Sequence, residues 1–204
     1  MALHNPELNE VALIDLRPTQ MTAGFAEVAQ KRRAWKDGED KKANFLPSHC
    51  FPAVRGPKDR IYITDHHHLG MALIEAGETK AFVTISNDFS KLARSEFWTI
   101  MDHLKLAHPY DQHGHRCSFD DMPKKLTALV DDPFRSLAST VKDAGGYAKA
   151  TEPFAEFLWA DFFRRRISAE ALHDNKKKVQ AEALAMAHTT AASHLPGWTG
   201  ESST

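Results

Sequence analysis

Histidine is the residue type that stands out. The chain of 204 residues carries 12 of them, and eight (His49, His66, His67, His68, His103, His108, His113, His115) fall between positions 49 and 115. The densest run is Asp65-His66-His67-His68. A carboxylate beside imidazoles can hold a phosphate, relay a proton near neutral pH or bind a metal. Adjacent residues at a turn do not all face one way, so at most two of the three histidines are expected to share a ligand. The plainer alternative makes Asp65 a helix N-cap and the histidines polar residues of the first turn. A second cluster, His113-Gly114-His115-Arg116-Cys117, has a spacing at which a loop can chelate a soft or borderline metal. A loop of this composition can equally be merely solvated. No zinc-finger pair and no His-Glu-x-x-His motif accompanies it.

These side chains need elements to position them. Residues 11–16 read as a short apolar strand stopped by Arg17-Pro18. Residues 22–36 read as a helix, with Thr22 as a possible cap and Lys31-Arg32-Arg33 in its later turns. A charged loop over 37–42 follows. Residues 49–54 and 60–64 read as two strands of a hairpin about the turn at 55–59. The second strand runs into the Asp65–His68 tetrapeptide, and a helix follows at once over 69–76, ending at Gly77. The histidines are thus expected at a strand-to-helix junction, where free backbone N–H groups and the helix dipole favour anions. Residues 80–86 form another strand.

Beyond position 90 the pattern is helical: 92–106, 122–130, 134–142, an aromatic helix from Pro153 through Phe163, and a long alanine-rich helix over 169–192. The aromatic set Phe154, Phe157, Leu158, Trp159, Phe162 and Phe163 is expected to pack the core. The fold class is therefore α+β. An α/β part over 1–90 is extended by a helical part over 91–204, and no linker composition separates them.

Composition narrows the function classes. Lys+Arg numbers 26 and Asp+Glu 27, a net charge of -1, so the whole body is not an electrostatic glove for nucleic acid. A local patch could still bind one: Lys31–Arg33, Arg164-Arg165-Arg166 and Lys176-Lys177-Lys178 are basic runs. Each wraps around its helix and reads first as a solvated helix end. No apolar run approaches the roughly 20 residues that cross a bilayer, and the start shows no secretory pattern. Cys50 and Cys117 form no Cys-x-x-Cys pair, so a reducing cytoplasm is the expected compartment. The Gly-rich phosphate loops and the Gly-x-Ser-x-Gly elbow are absent.

The order of parts resembles the ParB/sulfiredoxin superfamily, and within it the putative ParB-like nuclease family. The resemblance rests on a strand ending at Leu16-Arg17-Pro18-Thr19-Gln20, a helix, a hairpin, and a strand delivering Asp65-His66-His67-His68 into a helix. In the superfamily this junction carries motifs such as Asp-Gly-His-His-Arg that handle nucleotide phosphates. Asp65, His67 and His68 match that pattern; His66 stands where Gly is usual, and Leu69 where Arg is usual. Segments 132–137, 144–147, 153–163 and 194–198 are also similar to the narrower family. No helix-turn-helix DNA-reading part is recognisable.

The resemblance implies a small mixed sheet with helices and an enzyme acting on a phosphate ester, as a nuclease or a nucleotide-dependent phosphotransferase. In that picture Asp65 orients a histidine or a metal-bound water. His67 or His68 is the general acid or base, and Arg17, Gln20 and His66 help bind the phosphate or nucleotide. A divalent metal ion or a nucleotide is the implied cofactor, and a nucleotide or other phosphate-bearing small molecule the implied partner. The competing class is a non-catalytic module binding a nucleotide, a metal or nucleic acid, with Leu69 as the sign of a site that has lost its original chemistry.

Overall fold

The computed structural model describes residues 7–38 and 49–200. It is a mixed α+β fold. Four strands, β1 (Glu7–Ala12), β3 (Phe51–Gly56), β4 (Arg60–Ile63) and β5 (Lys80–Asp88), form a sheet in the order β1-β5-β3-β4. β1 runs antiparallel to β5, β5 parallel to β3, and β3 antiparallel to β4. The β3–β4 hairpin falls where the composition placed it. The first strand does not: it ends at Ala12, and Leu13–Asp15 turns as a 3-10 helix.

Alternation along β3 and β4 assigns the two sheet faces. Ala53 pairs with Ile63 and Val54 with Tyr62. Phe51, Ala53 and Ile63 pack with Val28 and Trp35 of α1 (Phe25–Asp37) and Met71 and Leu73 of α2 (His67–Ala76). Val54 and Tyr62 instead meet Phe97, Trp98 and Met101 of α3 (Arg94–His103). A separate core fills the helical half, built on α4 (Pro133–Asp143), α5 (Ala155–Arg164), α6 (Ala169–Asp174) and α7 (Lys176–Ala187), with Trp159 and Phe163 fully buried.

Three further expectations need correction. Thr22 is not a helix cap: Thr22–Ala23 is strand β2, paired in parallel with Val130–Asp131, which is β6. Residues 122–130 are not a helix either. The segment's end, Val130, is taken into the pairing with Thr22, and a short 3-10 turn at Leu126–Ala128 leads into it. The long helix over 169–192 divides at Asn175, whose side-chain oxygen accepts the Lys178 N–H and so starts α7 afresh. The charged loop expected over 37–42 lies mostly outside the described residues; α1 itself runs through Asp37 and closes on Gly38 at φ 91°. Among the described residues, no helix is long and apolar enough to cross a membrane.

Candidate functional site

The tetrapeptide sits at the expected junction, but its members divide. β4 ends at Ile63, and the Thr64 N–H donates to the Pro52 carbonyl. Asp65 is exposed and is not the cap; its carboxylate accepts the His66 N–H at 2.6 Å. His66 occupies the cap position at φ 65° and turns its ring edge to Phe51. The helix then begins with His67 and His68, both buried.

Each of these two rings is pinned by backbone. His67 Nε2 accepts the Thr19 N–H at 3.1 Å, and His68 Nε2 accepts the Gly24 N–H at 2.9 Å. A backbone amide can only donate, so Nε2 is unprotonated in both rings and the proton resides on Nδ1. Burial, with the neighbouring His68 adding to it, pushes His67 down to about 3. Burial also holds His68 well below its ordinary value, helped by the positive charges of Arg135 and Lys31. Both imidazoles are therefore neutral at pH 7, each with an Nδ1–H donor that meets no acceptor among the described residues.

The acceptor geometry depends on residues 17–24, which run beside β4. Arg17 N–H donates to Ile61 O and Ile63 N–H to Arg17 O, and the Thr19 hydroxyl donates to Ile63 O at 2.9 Å. At Gly24 a side chain cannot fit: an added Cβ would lie 2.6 Å from Ser136 Oγ and 2.9 Å from its nitrogen. The same residue's amide is the one that donates to His68.

His67 and His68 line a cavity of about 360 Å³ together with Gln20, Thr64 and Asp65. Its opposite wall comes from the helical half. Arg135 and Lys142 of α4, Tyr147, Lys149 and Glu156 face it, and Lys105 joins from the α3–α4 connection. Arg135 is buried, with its guanidinium 3.4 Å from Glu27 Oε2 and hydrogen-bonded to Glu156 Oε2, while Lys142 holds the other Glu156 oxygen. Burial alone would raise the Glu156 carboxyl, but Arg135 and Lys142 outweigh it and hold it below the ordinary range. Glu27 Oε2 is also 3.7 Å from His68 Nε2, so the ion network abuts the histidine pair. Burial raises the Tyr147 hydroxyl far above its usual value; it donates to the Ala138 carbonyl.

The remaining candidates are dispersed. Gln20 is buried in the cavity wall and donates from Nε2 to the Thr22 carbonyl. Arg17 does not face this cavity; it lines a separate depression with Asp15, Asp59 and Arg60. His66 lies beside the cavity rather than in its lining. His113 and His115 are exposed, their ring centroids 6.1 Å apart, on a loop organised by the Asp111 carboxylate accepting both their N–H groups. The Cys117 thiol donates to the His115 carbonyl. Among the described residues no group of three or more His, Cys, Asp or Glu side chains is arranged to hold a metal ion.

The basic runs are partly paired: Lys31 with Glu27, Arg32 with Glu75, Arg164 with Asp132 and Asp161, Arg165 with Asp161, Lys178 with Glu182. The aromatic set also divides. Trp159, Phe162 and Phe163 are core, Leu158 is half exposed, and Phe154 and Phe157 line the cavity.

The charged wall was missed from sequence. Its one signal is Arg135 itself, a cation set among the core-facing positions Phe134, Leu137, Ala138 and Val141 of α4. A charge on an apolar helix face must find partners inside the protein.

Among curated proteins none matches this chain. Among solved structures it is similar to the crystal structure of protein Atu1540 from Agrobacterium tumefaciens, with a TM-score of 0.91 and 46% sequence identity over 97% of this chain and 99% of that one. Residues 9–165 match the family described as putative ParB-like nuclease, a span that takes in the histidine junction, residues 17–24 and the charged wall from Arg135 to Glu156. The chain is a member of the putative ParB-like nuclease family.

Proposed function

We propose that the cavity binds and hydrolyses a phosphate ester, as a phosphodiesterase of nuclease type. The observation that carries this reading is the pair of neutral imidazoles, His67 and His68, whose Nε2 atoms are engaged by backbone amides and which line a cavity rich in cations. Uncharged directional donors beside Lys105, Lys142, Lys149 and Arg135 suit an oxyanion that gains charge in the transition state. In this scheme His67 and His68 hold the phosphate by hydrogen bonds. The exposed carboxylate of Asp65 takes the proton from the attacking water as its P–O bond forms; the P–O bond to the leaving oxygen breaks, and the alkoxide departs with a proton from solvent. Arg135 takes the place of the guanidinium that Leu69 does not supply, approaching from the other half of the fold.

The test uses bis(p-nitrophenyl) phosphate and follows p-nitrophenolate release. His67→Gln and His68→Gln keep an acceptor for the backbone amide and remove the Nδ1–H donor. Each is expected to lower turnover at least about 100-fold with little change in melting temperature, and Asp65→Asn to do the same. Wild-type rates in Asp65→Asn, or in the double Gln variant, would sink the assignment. A second reading, a phosphate-binding module without turnover, is favoured by Leu69 at the usual Arg position. Under it, inorganic phosphate raises the melting temperature while no ester is cleaved.

A further inference from the structure

A second cavity, of about 370 Å³, adjoins the first. Lys105, Pro153, Phe154 and Phe157 line both, and of these Lys105 alone carries a charge. Asp65, the proposed base, lines only the first cavity. The cations of the first cavity also differ in freedom. Arg135 and Lys142 are held by Glu156. The Lys105 side chain is exposed and has no carboxylate partner among the described residues.

The backbone at Lys105 sets it apart from the other helix ends. α1, α2 and α4 each close on a glycine in the left-handed region, Gly38 (φ 91°), Gly77 (92°) and Gly145 (86°), whose N–H donates to the carbonyl three residues back. After Gly77 and Gly145 the next N–H, that of Glu78 or Gly146, reaches Leu73 O or Val141 O. α3 closes with the same pair of bonds: Lys105 N–H donates to Asp102 O and Leu106 N–H to Met101 O. Here, however, a lysine at φ 54° stands where the others have glycine. A Cβ is disfavoured in this region, so the helix end gains nothing from the lysine. What the lysine adds is an ammonium group at the boundary of the two cavities, and residues held against their backbone preference gather at functional sites.

We infer that Lys105 is the general acid of the hydrolysis, protonating the leaving oxygen of an ester whose phosphorus lies in the first cavity and whose leaving arm lies in the second. This rests on the phosphate-ester reading above and narrows its substrate class. In-line displacement puts the entering and leaving oxygens on opposite sides of phosphorus, so base and acid must stand apart. Asp65 takes a proton from water as the new P–O bond forms. As the old bond breaks, Lys105 gives a proton to the departing oxygen in place of solvent; exchange with water then restores both side chains. The substrates that need such an acid are diesters of unactivated alcohols and phenols, whose oxygens leave poorly as anions. Phe154, Phe157 and Leu158 in the second cavity suit an apolar leaving arm.

Two diesters test this with the full chain: bis(p-nitrophenyl) phosphate, whose p-nitrophenolate leaves without protonation, and diphenyl phosphate, whose phenolate leaves poorly. The wild type is expected to cleave both. Lys105→Gly is expected to lower turnover of diphenyl phosphate at least about tenfold more than that of bis(p-nitrophenyl) phosphate. The same variant is expected to melt no lower than the wild type, since glycine suits the left-handed turn. Lys105→Arg keeps the positive charge but yields no proton, so it is expected to show the same selective loss. Four results overturn the inference and leave the phosphate-ester reading standing: equal losses on the two diesters in Lys105→Gly, a clearly lower melting temperature in that variant, diphenyl phosphate turnover kept in Lys105→Arg, or a wild type that cleaves only the p-nitrophenyl diester. A wild type that cleaves neither diester overturns both.

Discussion

The two halves of the molecule face one cavity with opposite chemistry. From the sheet half come His67, His68 and Gln20, uncharged and each fixed by a hydrogen bond to backbone, with the exposed Asp65 carboxylate at their edge. From the helical half come Arg135, Lys142 and Glu156, all charged and fixed chiefly by one another, with Glu27 of α1 completing the network. Backbone anchoring makes the sheet half's donors directional and indifferent to salt. Mutual pairing gives the helical half its field, but ties the position of each cation to a carboxylate partner. Direction comes from the anchored side and most of the charge from the other.

The comparison can be broken most forcefully at the two cores. Trp159→Ala in the helical half and Phe51→Ala in the sheet half should each cost about 4 kcal/mol. If the halves unfold together, calorimetry shows one transition lowered by either variant. Two transitions, each moved by only one of the variants, would show that the halves are independent.

Next comes the ion network. Arg135→Met leaves Glu156 with Lys142 alone and Glu27 with Lys31 alone at a partly buried site and should cost about 3 kcal/mol in chemical denaturation, because a partly compensated interior carboxylate loses its closest cation. Adding Glu156→Gln should return part of that loss. No recovery in the double variant would mean that Arg135 acts through packing against Phe157 rather than through charge.

The neutral side of the comparison is read by pH. His67 is held at about 3 in the fold, against an ordinary value of 6.5 when unfolded. Between those limits the unfolded chain binds the extra proton, so stability rises with pH across this window and is lost as pH falls from about 6.5 toward 3. The slope is at most about 1.4 kcal/mol per pH unit for each such histidine. His67→Gln should flatten the pH dependence below 6.5 and leave it unchanged above. An unaltered slope would mean that His67 is not protected from protons. The smallest effect serves as the reference: Lys80→Ala breaks an exposed pair with Glu10 at the sheet edge and should shift stability by less than about 0.5 kcal/mol. A loss comparable with that of Arg135→Met would erase the distinction between surface and interior charge.

The same division explains what could be read from sequence. The histidine junction was legible because strand, turn and helix are local: Ile61, Tyr62 and Ile63 suit a pleated strand, and the apolar run from Leu69 to Gly77 marks a helix and its stop. The choice among three adjacent histidines was not, since it depends on two amides contributed by Thr19 and Gly24. Thr22 looked like a cap because its partner strand, Val130–Asp131, is distant in sequence. Arg17 looked like a phosphate ligand because its segment is right and only its side-chain direction differs. Arg135 offered a single misplaced charge, and nothing local says that Glu27 and Glu156 will meet it.

The two-residue ladder between β2 and β6 bears on how the protein is made. Around it, the Phe25 N–H reaches the Asp131 carboxylate and the Ala26 N–H the Ser136 hydroxyl, contacts that bridge 106 and 110 positions of chain. A chain leaving the ribosome from its N-terminus can bury the sheet half early. The cavity, however, has no second wall until α4 and the start of α5 have emerged. The nascent protein thus forms the histidine side of the cavity before its cationic side, and the cavity is completed late in synthesis.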